Sequence, residues 1–590
     1  ISKKKFYLFR IVIKKMQKKI SLKYIVILCI YFLFSVILCK GQIFELSNVI
    51  FGDQGDTRGL LFSGWRLENP EIFGPLEIPN NFPDFIPILS FFGKTLTNIF
   101  GFIGGHNFGI FISFPLTAFI TFIVFQTLTK NIFISFLLGS IFGFTPFSVI
   151  HAFNGHPYLA FNLLIPIFFL FIYLRVFNNN KKLKNTLSIS IILLLMTFTN
   201  PYYAFFASVI IFYFFTYECI RFDNKHKYKY KYKSIFIDYF LIFFLPLFTF
   251  LTLNYNFIYD IFFVDTILVK DKVLNRSFTD MMIFSSRPWQ FFIPSIDNYF
   301  FGDFYALFSR NLLFKSNLVE QTYYLGLPLI FLCITSVRYY FKNIFNEKDK
   351  KVISCLFFLC VFIFFMTFPP VILFYNFQVP SINYLLYDFL PMFRVLSRFN
   401  IFLIFVLIII SSFSLKYLFL RNKKNIILIF SILIVVTIFE FLFISNDKIS
   451  EVENLPAAYN EIIGDNNTLI AEYPFVEPNN FHHYDYLMSQ YSHRMKILNG
   501  FPLDNNKNIQ YFNDIQDLSY DLTYEKLREL GVSYIVVHTD KFKEGIIPKP
   551  IKKYFDFDLG SRLFDSNLPL VINRKFIKVY QDDAIQIFKL

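Results

Sequence analysis

Apolar residues in this chain gather into long runs, separated by short segments rich either in lysine or in aspartate, asparagine and glycine. Eleven runs approach or reach the roughly 17–25 residues that a helix needs to cross hydrocarbon. They lie at 24–39, 107–128, 131–150, 158–177, 185–199, 203–220, 234–254, 323–338, 352–375, 398–416 and 425–444. A twelfth stretch, 84–100, differs. It starts at Pro83-Asp84, carries Pro87, Gly93 and Lys94, and leads into Gly101. That pattern predicts an amphipathic helix lying in the interface rather than a span.

After residue 444 the pattern changes. Thr468–Tyr473, Lys496–Asn499 and Tyr534–His538 read as short buried strands, and Tyr524–Leu530, closed by Gly531, as a helix feeding the last of them. RKFIKVYQ and AIQIFKL read as a terminal hairpin. The tail is long enough for a core of its own.

The charges orient the runs. With 84–100 left out of the spans, every short basic loop falls on one side: Lys181, Lys182 and Lys184, the Lys225–Lys233 run, the Lys348–Lys351 cluster, and Arg421, Lys423 and Lys424. Counting it as a span would move the first three groups outside, against the positive-inside rule. The N-terminus is therefore expected in the cytoplasm and the tail outside. About 29 of the 57 Lys and Arg, but only about five of the 42 acids, are then cytoplasmic. Three parts follow: a basic cytoplasmic N-terminus, 1–23; a transmembrane domain, 24–444, with a first outer loop at 40–106 and a large outer loop at 255–322; and an extracytoplasmic α/β domain, 445–590.

Composition agrees. Hydrophobic residues make up 55% of the chain and charged residues 17%, against about 25% in soluble domains. The net charge of +15 sits mostly in cytoplasmic flanks, including Lys3, Lys4, Lys5, Lys14, Lys15, Lys18 and Lys19, so it argues for an anionic leaflet and not for nucleic acid. Lys227–Lys233 alternates Lys and Tyr and reads as an interfacial anchor. Leu38, before Cys39, spoils a cleavage site, so the first run reads as an uncleaved anchor. All six cysteines lie in apolar runs, and none forms a CxxC pair.

The candidate chemistry lies in the outer segments. Phe51-Gly-Asp53-Gln-Gly-Asp56-Thr-Arg58 places two carboxylates three residues apart between glycines. They can serve as general base or metal ligand, or cap a helix starting at Thr57. Arg394 and Arg398, four apart, are expected on one helix face at the mouth of a span. There they would bind phosphate or snorkel to the interface. His151 and His156 flank the loop after the third span, where a histidine bonds phosphate or sugar or serves as a structural hydrogen bonder. Tyr202 and Tyr203 follow Asn200-Pro201 at an outer turn, and Arg287 and Trp289 lie in the large loop. Sugar contact and interfacial anchoring are both open to these aromatic residues. His482, His483 and His493 lie too far apart along a helix for all three to share one ion. No phosphate-cradling glycine loop, GxSxG or HExxH is present.

GDQGDTR, FNGHPYLAFNLLIP, TNPYYAFF, RPWQFFIPSIDNYFFG and LPMFRVLSRFN, followed by IAEYPF, ILNGFP and LRELGVSYIVVH, resemble in their order the GT-C superfamily of membrane glycosyltransferases, and in detail its YfhO-like members. The resemblance implies a polytopic α-helical GT-C-like membrane protein with a C-terminal extracytoplasmic α/β domain. It implies transfer of a sugar from a polyprenyl-phosphate-linked donor to a glycan, lipid or protein acceptor at the outer membrane face. Asp53 or Asp56 would be the base, with Arg58, His151, His156, Tyr202, Tyr203, Arg287, Trp289, Arg394 and Arg398 on the substrates. The resemblance fixes no cofactor, and a divalent metal is admitted. The rival class is a non-catalytic transporter, flippase or assembly factor for surface polysaccharide. It would place ionisable groups within the spans, and the predicted spans are almost free of them. Asp238 sits at a cytoplasmic end and Glu440 near an outer end.

Overall fold

The structure, a computed structural model, describes residues 22–53, 55–76, 86–178, 182–223, 229–255, 277–309, 317–374, 377–421, 426–452, 455–462, 464, 467–476, 481–500, 506–543 and 572–590. The basic N-terminus as far as residue 21, the segments 179–181 and 224–228 expected in the cytoplasm, and parts of the loop 255–322 expected outside lie outside this set. The chain divides into two units. The first holds Ile1–Phe51 and Pro83–Ile449, the second Gly52–Phe82 and Ser450–Leu590. The expectation that the whole first outer loop belongs with the spans is thereby corrected. Its middle, from Gly52, clusters with the C-terminal residues because the helix Asp56–Glu68 packs on a helix of that unit.

In the first unit a helix stands at each of the eleven predicted runs. Among the described residues seven are long and apolar enough to cross a membrane: Phe102–Thr129, Ile132–Phe153, Pro157–Val176, Lys182–Thr199, Pro201–Ile220, Lys233–Leu253 and Leu396–Leu420. Leu22–Leu38, Gly326–Phe341 and Ile427–Phe441 are shorter apolar helices. The run at 131–150 breaks at Phe144-Thr145, where Thr145 caps a new short helix, Pro146–Phe153, and Pro146 opens it. Asn200-Pro201 ends one helix and starts the next, as a proline that cannot continue the first one requires.

Small residues let these helices approach closely. A Cβ on Gly139 would lie 2.7 Å from the Ala118 carbonyl oxygen, so Gly139 fits the backbone of the neighbouring helix, as small residues do in membrane bundles. The stretch read as interfacial forms a 14-residue helix, Pro87–Phe100, about 21 Å long at 1.5 Å per residue. Only Leu96 on it is buried, and Phe91 and Ile99 are exposed.

The second unit is built on a five-stranded sheet: β1 (Leu469–Tyr473), β2 (Lys496–Ile497), β3 (Tyr534–His538), β4 (Ile577–Gln581) and β5 (Ile585–Lys589). Their order is β2-β1-β3-β5-β4, with β1 parallel to β2 and β3, and β5 antiparallel to β3 and β4. β1 and β3 are buried along their whole length, as runs covered on both faces must be. Helix Phe481–His493 links β1 to β2, and Asn506–Asp514 and Asp521–Glu529 link β2 to β3. Gly531, at φ 80°, ends the last of these in a left-handed turn. Gly59 of the helix Asp56–Glu68 lies against Tyr484, where a Cβ would come within 2.5 Å of the ring. Trp65 meets Tyr491 edge-on at 5.1 Å.

Candidate functional site

The main polar cluster of the first unit is assembled from three segments that the sequence places outside the membrane. Glu320 closes a short 3-10 helix, Leu318–Glu320, and Arg398 lies in another, Leu396–Phe399, that leads into the helix Asn400–Arg421. His151 sits in the last turn of Pro146–Phe153. All three are buried. Arg398 donates to Glu320 Oε1 through Nε at 3.0 Å and Nη2 at 2.8 Å, and Ser397 Oγ donates to Oε2 at 2.8 Å. His151 Nε2 lies 3.2 Å from Oε2. Its Nδ1 lies 2.8 Å from the Phe147 carbonyl oxygen and 3.2 Å from Thr322 Oγ1.

Burying such charges costs several kcal/mol per ion unless they are paired and bonded. Here both carboxylate oxygens are engaged. Burial alone would raise the Glu320 carboxyl, but the charges of Arg398 and His151 outweigh it and hold the group well below the usual carboxylate range.

The rim of this cluster is half-buried. Arg398 Nη1 donates to Tyr158 Oη at 3.3 Å, and its guanidinium lies 5.4 Å from the centre of the Tyr202 ring. Tyr202 Oη donates to the Met392 carbonyl at 3.1 Å, and Tyr203 Oη to that of Leu159 at 2.9 Å. His156 Nδ1 lies 2.7 Å from the Asn154 carbonyl oxygen. Burial, helped by the charges of Arg398 and His151, pushes this imidazole down to about 4. It is therefore neutral near pH 7, with Nδ1–H donated to the carbonyl and the Nε2 lone pair left as an acceptor. Next to it Asn154 bridges a second pair. Its Nδ2 donates to Asp297 Oδ2 at 2.9 Å and its Oδ1 accepts from Lys448 Nζ at 2.8 Å, while Lys448 lies 3.3 Å from Asp297 Oδ1.

The structure thus brings together His151, His156, Tyr202, Tyr203 and Arg398. Arg394 stands apart, paired with Asp280 and 5.2 Å from the centre of the Phe284 ring. The expectation that Arg394 and Arg398 share a helix face is corrected. Arg394 precedes the 3-10 turn in irregular backbone, because the helix starts only at Asn400. Arg287 turns back on its own segment, donating to the carbonyls of Ser285 at 3.0 Å and Met282 at 3.0 Å. Trp289 lies in the next turn, partly exposed.

Asp53, Asp56 and Arg58 of the first loop lie in the second unit. Asp53 Oδ1 accepts from Thr57 N at 2.8 Å and from Thr57 Oγ1 at 2.5 Å, which is the capping role weighed for this pair. Asp56 opens the helix Asp56–Glu68, one residue before the expected start; its side chain lies outside the described residues. Arg58 pairs with Asp485 at 3.2 Å. Among the described residues no three His, Cys, Asp or Glu side chains converge as a metal site.

Sequence reasoning missed Glu320, Asp280, Tyr158 and Lys448. Glu320 had a signal: a lone acid in Asn317-Leu-Val-Glu-Gln-Thr, directly before an apolar run. Nothing along the chain pairs it with Arg398, 78 residues away.

The family described as "Domain of unknown function (DUF6311)" has a model that matches residues 63–440. No curated protein matches. Among solved structures, arabinofuranosyltransferase AftD from Mycobacteria aligns with a TM-score of 0.51 at 12% identity, over 97% of this chain and 40% of that one. The oligosaccharyltransferase of Archaeoglobus fulgidus, in its apo form, aligns with a TM-score of 0.44 at 11% identity, over 88% of this chain and 70% of that one. The first alignment shows a shared fold, the GT-C type that the motifs resemble. The chain spans less than half the length of the mycobacterial protein.

Proposed function

For a chain that belongs to the DUF6311 family, as the match over 63–440 establishes, we propose the work of a membrane glycosyltransferase that moves a sugar from a polyprenyl-phosphate-linked donor to a glycan, lipid or protein acceptor at the outer membrane face. The observation that carries this reading is the cluster around Glu320. Arg398 and His151 meet at one carboxylate, and the guanidinium at its edge suits a phosphate. Arg398 Nη1 and Tyr158 Oη would meet the phosphate oxygens at the half-buried rim, and the neutral His156 Nε2 would accept from a sugar hydroxyl. Cationic and hydroxyl donors fixed before the reaction stabilise the charge that grows on a departing phosphate. Glu320 positions Arg398 and His151 and does not itself react.

Inverting transfer also needs a base for the acceptor hydroxyl. Capping engages Oδ1 of Asp53, and of the two carboxylates we propose Asp56 as the base. Transfer in proteoliposomes tests this: Asp56→Asn should abolish product while Asp53→Asn, which still caps, retains it. Full activity of Asp56→Asn would remove the assignment.

A coupled transporter would set its ionisable groups near the middle of the bilayer. The buried charges at the expected cytoplasmic ends are instead tied to one another. Arg175 Nη1 donates to Glu218 at 2.9 Å, and Asp238 lies 3.5 Å from Arg175 and 3.1 Å from Lys182.

A further inference from the structure

The second unit carries a polar cluster that the proposed transfer does not use. In its sheet, β2 and β3 lie on opposite sides of β1, so the two successive crossovers diverge from β1. Open α/β sheets bind ligands outside the carboxyl ends of their strands, at such a switch point. The carboxyl ends of all three parallel strands converge on charged and aromatic side chains. From β1 comes Glu472, fully buried, accepting from Tyr459 Oη at 2.7 Å and lying 2.8 Å from His538 Nε2 at the end of β3. After β2 come Asn499, which bonds the Glu472 backbone at 2.8 and 2.9 Å, and Gly500. Tyr486 stacks on His538 at 5.2 Å, and Lys541 lies 4.7 Å from the centre of the Tyr486 ring.

Two observations point to a ligand. His483 is 2% exposed, and its Nδ1 has no hydrogen-bond partner among the described residues. Gly500, at φ +92°, comes so close that a Cβ there would lie 3.0 Å from His483 Nε2 and from Arg66 Nη1. Backbone without a side chain thus borders the imidazole and the guanidinium. Burial, with the charges of Arg66 and Lys541, pushes His483 down to about 3, so it stays a neutral bonding group between two cations. At the mouth, Asp485 is shared: Lys541 lies 2.7 Å from Oδ2 and Arg58 3.2 Å from Oδ1. Its side chain is 30% exposed, against 14% for Lys541, so it can swing away.

We propose that this switch point binds a small oxyanion-bearing ligand, a phosphate or carboxylate group on a sugar, which takes the place of the Asp485 carboxylate on Lys541 and reaches His483. Asp485 acts as the internal competitor that holds the site in order when it is empty. The proposal rests on the second unit alone and stands whether or not the first unit transfers sugar.

The test uses the full chain in nanodiscs and ligand-observed NMR, with glucose 6-phosphate, glucuronate and glucose as probes. The two anionic sugars should bind and neutral glucose should not, and the stronger of the two identifies the group. Lys541→Met should weaken binding at least tenfold, whereas Asp485→Asn, which removes the competitor, should strengthen it several-fold. The opposite signs of these two surface variants keep the result independent of folding damage. The double variant Glu320→Leu/Arg398→Met, in the first unit, should leave the Lys541-dependent signal in place, so the two readings fail separately. Binding of neither anion, or binding indifferent to both Lys541→Met and Asp485→Asn, would overturn the proposal.

Discussion

Glu320 shows how much a single residue decides here. Removing one partner of a buried ion pair leaves the other charge uncompensated, at a cost of about 3–5 kcal/mol, whereas replacing both with apolar groups is often neutral. Glu320→Leu should therefore lower the thermal midpoint in detergent far more than the double variant Glu320→Leu/Arg398→Met. Equal losses in the two would mean that the pair is not coupled as its geometry states. Acid should also destabilise the protein. His156, His483 and His493 are held near 4, 3 and 4 by burial above all. An unfolded histidine takes its proton near 6.5. As pH falls from about 6.5 towards 3 to 4, the unfolded chain binds protons that the native state refuses, and stability drops. The depressed carboxyl of Glu320 adds its own loss from about pH 4.3 downwards, where the unfolded carboxyl takes its proton. Unfolding midpoints between pH 7 and 4 check the sign, and His483→Phe should flatten the profile. Sequence reading named five residues that meet here, His151, His156, Tyr202, Tyr203 and Arg398, from their expected outer position. It missed Glu320 because an ion pair spanning 78 residues leaves no periodic trace.

Local pattern was the most legible level among the elements. The strand expected at Tyr534–His538 has those bounds, and the terminal hairpin is present at Ile577–Gln581 and Ile585–Lys589. Strict burial of β-branched residues and a tight turn suffice to specify such elements. Arg394 failed for the opposite reason: spacing of four means a shared face only inside a helix, and Leu390-Pro391 had already ended one. At Asp53 both roles were open, and the structure favours the cap. Asp53→Ala should then cost about 0.5–2 kcal/mol and Asp53→Asn almost nothing. Chemical unfolding that shows Asn as damaging as Ala would remove the capping account.

At the scale of the whole molecule, orientation rests on the lysines, which a sum over many loops makes legible without any tertiary contact. Affiliation of the first loop was not legible, since nothing in GDQGDTR announces that its helix packs on Phe481–His493. Cysteine labelling on intact cells tests the orientation. A cysteine at Asp303, which is exposed, should react and one in 178–184 should not; the reverse pattern would invert the topology. Asp297 is a poor reporter, because it is buried against Lys448.

We propose that the Glu320–Arg398–His151 cluster recognises a donor phosphate. Its most direct test is sugar transfer from a polyprenyl-phosphate donor in proteoliposomes, comparing the wild type with Glu320→Leu/Arg398→Met, which removes both charges and should still fold. The account predicts transfer by the wild type and a fall of about 100-fold or more in the double variant, the scale of losing a fixed donor to a developing anion. Wild-type rates in a folded double variant, or no transfer by the wild type from any such donor, would contradict it.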